Sequence, residues 1–288
     1  MKILLTGMTG QLGQELQTIL PAVGEVTRRD RATLDFTQPD RIRQAIAEVR
    51  PDVVVNAAAY TAVDKSESEP ELATAINGTG VGVLAEESQK IGARLLHIST
   101  DYVFDGTQSH PYSETDPTHP LGSYGKSKLV GEQAIQEVGG DFIILRTAWV
   151  YGSGGKGNFV KTMLRLGGDR EELRVVADQV GSPTWTGDLA GAIASIVQLA
   201  IPPGIYHYTN SGVASWYDFA VAIFEEAKSL GFPLQVQRVT PITTAEYPTP
   251  AKRPAYSVLS CAKIASVLGT YPPHWRQGLR QMLANFKG

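Results

Sequence analysis

A single cysteine, Cys261, stands in the whole chain, so no intrachain disulfide framework is available and a reducing compartment is expected. No stretch approaches the ~18 consecutive apolar residues of a membrane-spanning helix. The N-terminus, Met1-Lys2-Ile3-Leu4-Leu5-Thr6, has no basic region followed by a long apolar run. A cytoplasmic protein that engages no membrane is the expectation. Charge of one sign is equally scarce: the net charge of −3 argues against general nucleic-acid binding. The five histidines, His97, His110, His119, His207 and His274, show no zinc-ligand spacing. Internal repeats and low-complexity tracts are missing too. Acidic residues are missing from one long segment. Residues 247–288 hold no Asp or Glu, yet carry Lys252, Arg253, Lys263, Arg276, Arg280 and Lys287. Magnesium takes hard oxygen ligands, usually carboxylates and water, so that positive segment disfavours it.

What is present suits a globular enzyme: 288 residues, 42% of them hydrophobic and 19% charged, enough for a substantial core and a smaller lobe. Lys2-Ile3-Leu4-Leu5-Thr6 reads as an apolar strand running into Gly7-Met8-Thr9-Gly10-Gln11-Leu12-Gly13. Leu12, Leu16, Ile19 and Leu20 then keep helical spacing. Strand, glycine turn and helix are the context of a dinucleotide-binding fingerprint, in which glycine lets backbone approach a pyrophosphate at the helix N-terminus. The spacing here is Gly-x-x-Gly-x-x-Gly. A second strand is expected at 25–28. At its end an acidic residue would bind a ribose 2′-hydroxyl, whereas arginine suits a 2′-phosphate. Arg28 and Arg29 occupy that place, which favours NADPH, with NADH also accepted. Asp35 and Phe36 follow at a position able to border the adenine.

Residues 38–50 read as a helix, 52–56 as a buried strand, and Ala57, Ala58 and Ala59 as small residues that permit close cofactor approach. A long helix is expected over 69–91, then the strand Arg94-Leu95-Leu96-His97-Ile98. Strands alternating with helices imply a doubly wound parallel sheet. A further buried strand is expected over 142–147. After about residue 150 glycine and proline become dense, and helices over 159–166, 189–199 and 216–229 alternate with short strands. The division expected is a cofactor-binding unit over 1–150 and a mainly substrate-binding lobe over 151–288, with the chain free to cross back.

The chemistry centres on 99–128. Ser99-Thr100-Asp101 begins where an apolar strand stops, and Tyr124-Gly125-Lys126-Ser127-Lys128 opens a helical pattern. Tyr124 and Lys128 are one turn apart, with about 5–6 Å between Cβ atoms, so both can face one pocket. A phenol titrates near pH 10, too high for efficient proton exchange at neutral pH. An ammonium roughly 5 Å away favours the phenolate by about 3 kcal/mol at an effective dielectric of about 20, or about two pKa units. Thr100 would hold the substrate oxygen and the phenol in register.

Together these residues resemble the extended short-chain dehydrogenase/reductase family, and within it the branch that reduces dTDP-linked 4-keto sugars. The similar segments are 7–13, 56–64, 99–106, 124–128, 146–152, 178–184 and 247–254, so the resemblance spans nearly the whole chain. It implies a Rossmann-like doubly wound α/β fold with a smaller α+β lobe. Thr100, Tyr124 and Lys128 become its triad. Thr100, Asp101, Tyr124, Trp149 and Asn158 would line the sugar site, and Arg253 would meet the substrate diphosphate. Gly7, Gly10, Gln11, Leu12, Gly13, Arg28, Arg29, Asp35, Phe36, Ala57, Ala58, Ala59, Tyr124 and Lys128 would touch the cofactor. The implied reaction passes hydride from nicotinamide to the 4-keto carbon of dTDP-4-dehydro-L-rhamnose, while Tyr124 protonates the oxygen. Dehydratases of the same fold place Asp-Glu after the threonine; here Tyr102 follows Asp101. A catalytically silent relative, like the regulatory subunit of methionine adenosyltransferase, is disfavoured by the intact triad. Some reductases of this branch dimerise through Mg²⁺ held by glutamates. The acid-free C-terminal segment here points instead to a monomer or a metal-independent homodimer.

Overall fold

Four apolar segments with almost no exposed side chain make the middle of a six-stranded, wholly parallel sheet. These are β1 (Lys2–Thr6), β3 (Val53–Asn56), β4 (Arg94–Thr100) and β5 (Phe142–Thr147), buried on both faces as parallel strands are. β2 (Glu25–Arg29) and β10 (Gly204–His207) close the edges, in the order β10-β5-β4-β3-β1-β2. β2 is only half-buried, as an edge strand tolerates. The computed structural model describes residues 1–199 and 201–286; Lys287, counted above among the positive charges, lies outside them.

Helices cover both faces. Helices α1 (Gln11–Ile19) and α7 (Thr186–Gln198) lie on one face, in a core that includes Leu12, Leu16, Leu189, Ile193 and Ile196. The other face is covered by α2 (Pro39–Val49), the helical run 70–90 and α5 (Ser123–Val138), through Ile42, Ile46, Leu84 and Ile135. Strand order reverses between β1 and β3, which puts a crevice at their carboxyl ends. β10 pairs with β5, and α7 packs on α1.

The long helix expected over 69–91 is broken in register. α3 (Pro70–Thr74) passes through a π-helical turn, Ala75–Thr79, into α4 (Gly80–Lys90). The extra residue aims Asn77 out of the helix. Its Oδ1 accepts the Tyr60 N–H (2.8 Å), and its Nδ2 donates to the Tyr60 carbonyl (3.0 Å) and the Ser127 hydroxyl (3.0 Å). A π-turn at such a junction is a common mark of function. Here it ties the loop after β3 to the helix that carries Tyr124.

A second core builds the smaller lobe. It joins α6 (Phe159–Asp169), α8 (Trp216–Ser229) and α10 (Trp275–Ala284) with strands β7 (Glu172–Val176) and β12 (Arg238–Ile242). Two two-residue strand pairs, β6 (Val150–Tyr151) with β9 (Thr184–Trp185) and β8 (Val180–Gly181) with β11 (Ala214–Ser215), and the short helix α9 (Ala262–Leu268) complete the described chain, and α8 runs over the expected 216–229. The positive C-terminal segment is not left bare. Glu225 and Glu226 on α8 pair with Arg276 (2.5 and 2.6 Å), and Glu226 also meets Arg280 at 2.9 Å. Folding therefore supplies from elsewhere the negative charge that 247–288 lacks.

Candidate active site

The glycine turn is built by close contact. Gly7 has φ +72°, and a Cβ on it would lie 2.5 Å from the Ala57 and Ala58 backbone. A Cβ on Gly13 would lie 2.1 Å from the Gly7 carbonyl oxygen. These two glycines are demanded by the protein itself. Gly10 is different: a Cβ there would meet only the Gly7 oxygen, at 3.4 Å. It stands at the N-cap of α1 with no side-chain cap, so the first N–H groups of that helix face a cradle that a Cβ would narrow. A pyrophosphate fits such a cradle.

The other residues expected at the cofactor divide by role. Leu12 and Phe36 put their side chains into the core, so only their backbone reaches a ligand. Gln11 donates to the Val150 carbonyl (2.9 Å) and accepts from Asn158 (3.1 Å), joining the turn to the lobe. Asp35 closes a turn by accepting from the Thr37 N–H and hydroxyl. Successive strand residues point to opposite faces. Arg29 leans toward Glu48 at 3.9 Å, whereas the exposed Arg28 makes no ion pair among the described residues. Arg31, missed in the sequence, lies close enough to Asp35 to help hold its carboxyl below the usual range, after the Thr37 backbone N–H and hydroxyl.

The triad comes together at the carboxyl edge of β4. Thr100 ends that strand, and Tyr124 and Lys128 lie on the first turns of α5. That helix has no cap of its own, so Glu67 supplies one: its carboxylate accepts the Ser123 N–H at 2.7 Å and the Ser123 hydroxyl at 3.2 Å. A carboxylate there also complements the helix dipole. Desolvation pushes the Tyr124 phenol up to about 12; the Thr100 hydroxyl opposes this and the Asp101 charge adds to it. The lowering of this phenol by Lys128 expected from the helical spacing is not found: the phenol moves the other way, and the lysine is not among the groups acting on it. Its Nζ turns instead toward the sheet, 2.6 Å from the Ile98 carbonyl and 3.0 Å from His97 Nε2. The helical spacing puts the two residues on one face, as expected, but the ammonium is spent on the strand. Burial lowers it to about 8.

Asp101 is buried beside the triad. Its Oδ1 accepts from Thr100 at 3.1 Å, and its Oδ2 has no partner among the described residues. Burial raises this carboxyl to about 6 against the pull of the Ser257 and Thr100 hydroxyls. Tyr102 sets its ring edge-on to Tyr124 at 5.5 Å. Thr147 pairs in register with Thr100, so the chain leaves β5 next to the triad and reaches Trp149, which takes φ +47°. A tryptophan in the left-handed region costs about 1–3 kcal/mol and is held by its surroundings. Here the support is Trp216, stacked on it at 3.5 Å and 2°. Asn158 spends its polar atoms on structure: Oδ1 caps α6 through the Lys161 N–H, and Nδ2 donates to Gly152 and Gln11. Arg253 is likewise held, by Asp64 (2.8 Å), Thr249 (2.5 Å) and the Ala251 carbonyl (3.2 Å). Among the described residues no three His, Cys, Asp or Glu gather as metal ligands, and no helix is long and apolar enough to cross a membrane.

Comparison with known proteins agrees with this geometry. Residues 1–287 match the family described as RmlD substrate binding domain. A Burkholderia thailandensis protein named dTDP-4-dehydrorhamnose reductase is 46% identical, over 96% of each chain. One of the same name from Escherichia coli is 45% identical, over 98% of this chain and 97% of its own. A crystal structure of dTDP-4-dehydrorhamnose reductase from Bacillus anthracis in complex with NADP superposes with a TM-score of 0.92 at 40% identity, covering 98% of both chains.

Proposed function

The chain belongs to the RmlD substrate binding domain family, and from that premise we propose that it reduces dTDP-4-dehydro-L-rhamnose to dTDP-L-rhamnose with NADPH. The observation that carries the reading is Tyr124 set against Thr100 at the carboxyl end of β4, one helical turn from Lys128 on α5, in a parallel sheet whose first strand runs into the glycine turn. The nicotinamide, when bound, supplies the hydride. The protein supplies position and the proton. A phenol pushed up to about 12 stays protonated at neutral pH, the state required of a proton donor to the 4-oxygen. Thr100 orients that oxygen. The unpartnered Asp101 Oδ2 is the acceptor for a sugar hydroxyl, and Trp149 closes the lobe side. The N–H groups of Gln11 and Leu12 receive the pyrophosphate over Gly10, between Gly7, Gly13 and Ala57, Ala58, Ala59. Tyr102 stands where a dehydratase carries its second carboxylate, which favours reduction over elimination.

Incubating the purified protein with NADPH and the sugar nucleotide, and reading the sugar ring by NMR, tests the reading. A rhamno product is expected; an untouched 4-keto sugar would refute it.

Cofactor preference belongs to Arg28. NADPH should be used better than NADH, by a modest factor. Arg28→Ala should cut that preference about fivefold, the effect of roughly 1 kcal/mol at an exposed charge-assisted contact. Arg29→Ala should change it less, since Glu48 already engages that guanidinium. Kinetics with both cofactors decide between them.

The substrate diphosphate is assigned to the N–H groups of Arg253 that Asp64, Thr249 and the Ala251 carbonyl leave free, because a planar fork matches phosphate oxygens. Arg253→Ala should raise the sugar-nucleotide KM about tenfold and leave the NADPH KM unchanged. An unchanged sugar-nucleotide KM would remove Arg253 from the site. The quaternary state is proposed to be a monomer or a metal-independent dimer, so light scattering should give one mass with and without EDTA.

A further inference from the structure

Three polar side chains stand in one row across the sheet. Thr6, Asn56 and His97 are register partners on β1, β3 and β4, and the row ends on Lys128. None of the four is more than 1% exposed. Their hydrogen bonds have a fixed direction. Asn56 Oδ1 receives the Ala58 N–H at 3.1 Å and the Thr6 hydroxyl at 2.6 Å. A backbone N–H can only donate, so the oxygen must be the atom on that side. The amide nitrogen therefore faces His97 Nδ1, at 2.9 Å, and donates to it. A neutral imidazole that accepts on Nδ1 carries its proton on Nε2. That N–H points at Lys128 Nζ, 3.0 Å away. The lysine nitrogen can accept it only as an amine, keeping its own N–H for the Ile98 carbonyl at 2.6 Å. As an ammonium it would face a second donor, unless His97 moved its proton to Nδ1 and gave up the bond from Asn56.

We propose that His97, set by Asn56, is a positioning residue for the proton on Lys128: it holds Nε2–H against the lysine nitrogen and so opposes the ammonium form. The wiring works with, and is distinct from, the burial that brings Lys128 down to about 8. The other charged group acting on the lysine is Glu132, on its own helix, which favours the ammonium and is itself bound by Arg146 from β5. β3 and β1 present only the uncharged Asn56 and Thr6, and burial keeps His97 far below its usual range. Lys128 thereby titrates close to working pH, where a buried lysine is most useful in proton exchange. On the proposed triad reading turnover needs the ammonium form, so it should fall as pH rises through the Lys128 range.

The functional half of this inference rests on Lys128 belonging to the proposed triad; the wiring does not. Histidine labelled with ¹⁵N reads the tautomers directly in the wild-type protein. His97 should show Nε2–H and a bare Nδ1. His207 is an internal contrast: buried as well, it lies 3.1 Å from the Tyr112 carbonyl through Nδ1, so it should show Nδ1–H. Asn56→Asp replaces one NH₂ by oxygen at constant shape. It should reverse His97 to Nδ1–H, turn Nε2 into an acceptor for the ammonium, and move the alkaline limb of kcat upward by about one pH unit, a tenfold gain on that limb. A wild-type His97 with Nδ1–H, or as imidazolium, would overturn the proposal, as would a folded Asn56→Asp protein with unchanged tautomer and limb. Lys128→Met separates the two claims. Full turnover in that variant would remove Lys128 from the triad, while the tautomer would still report the wiring.

Discussion

Tyr124→Phe is expected to lower kcat by about 10²–10⁴-fold while leaving NADPH affinity within a factor of two, because a positioned proton donor contributes about that much. The substitution removes one oxygen and keeps the ring that packs against Tyr102. The phenol is the protonated group beside Thr100 at the end of β4, and its neighbours are poor substitutes. Asp101, raised only to about 6, is largely ionised at neutral pH. Lys128 is turned toward Ile98 and His97. Stopped-flow kinetics with a parallel cofactor titration check both halves. A variant that keeps more than half the wild-type kcat would remove Tyr124 from its role.

The largest stability effect is expected about two turns beyond Tyr124 on the same helix. Glu132 and Arg146 form an ion pair at 2.6 Å whose side chains are 0% and 3% exposed. The Ser99 hydroxyl donates to the same carboxylate, and the guanidinium sits over the Phe104 ring at 5.1 Å. This cluster pins α5 to β4 and β5 directly behind Lys128. Arg146→Met would leave a buried carboxylate without its counter-charge, which costs about 3–5 kcal/mol and lowers Tm by roughly 10 °C in a chain of this size. Glu132→Leu combined with Arg146→Met should recover much of that loss, because replacing a buried pair by apolar groups of similar volume is often neutral. Thermal unfolding of the single and double variants measures it. A single variant that melts within about 2 °C of wild type would show that the pair is not the clamp described.

What the sequence made legible was periodic or local. The apolar strands, the glycine turn and the Tyr124–Lys128 spacing carry their own signal, and with them came the parallel sheet and the triad. Groups assembled from distant segments left no such mark. Glu67 caps α5 from 56 residues away, and Glu226 reaches Arg276 across 50. The π-turn at Asn77 shifts a helix by one residue without changing its apolar pattern. Asn158 shows how one residue type serves two readings: the side chain expected at a sugar is committed to capping α6. The Thr6–Asn56–His97 row did have a signal. Thr6 and Asn56 are polar residues that end apolar strands and His97 interrupts the apolar run of β4, and such buried polar groups must be partnered.

One site is proposed to join hydride from a nicotinamide to the 4-carbon of the sugar with a proton from Tyr124. NADPH deuterated at the transferred position, reacted with dTDP-4-dehydro-L-rhamnose in ordinary water, tests it most directly. One deuterium is expected on carbon 4 of the product sugar, and the mirror experiment in heavy water with unlabelled NADPH should leave that carbon unlabelled. Deuterium retained in the cofactor, or solvent deuterium at carbon 4, would contradict it.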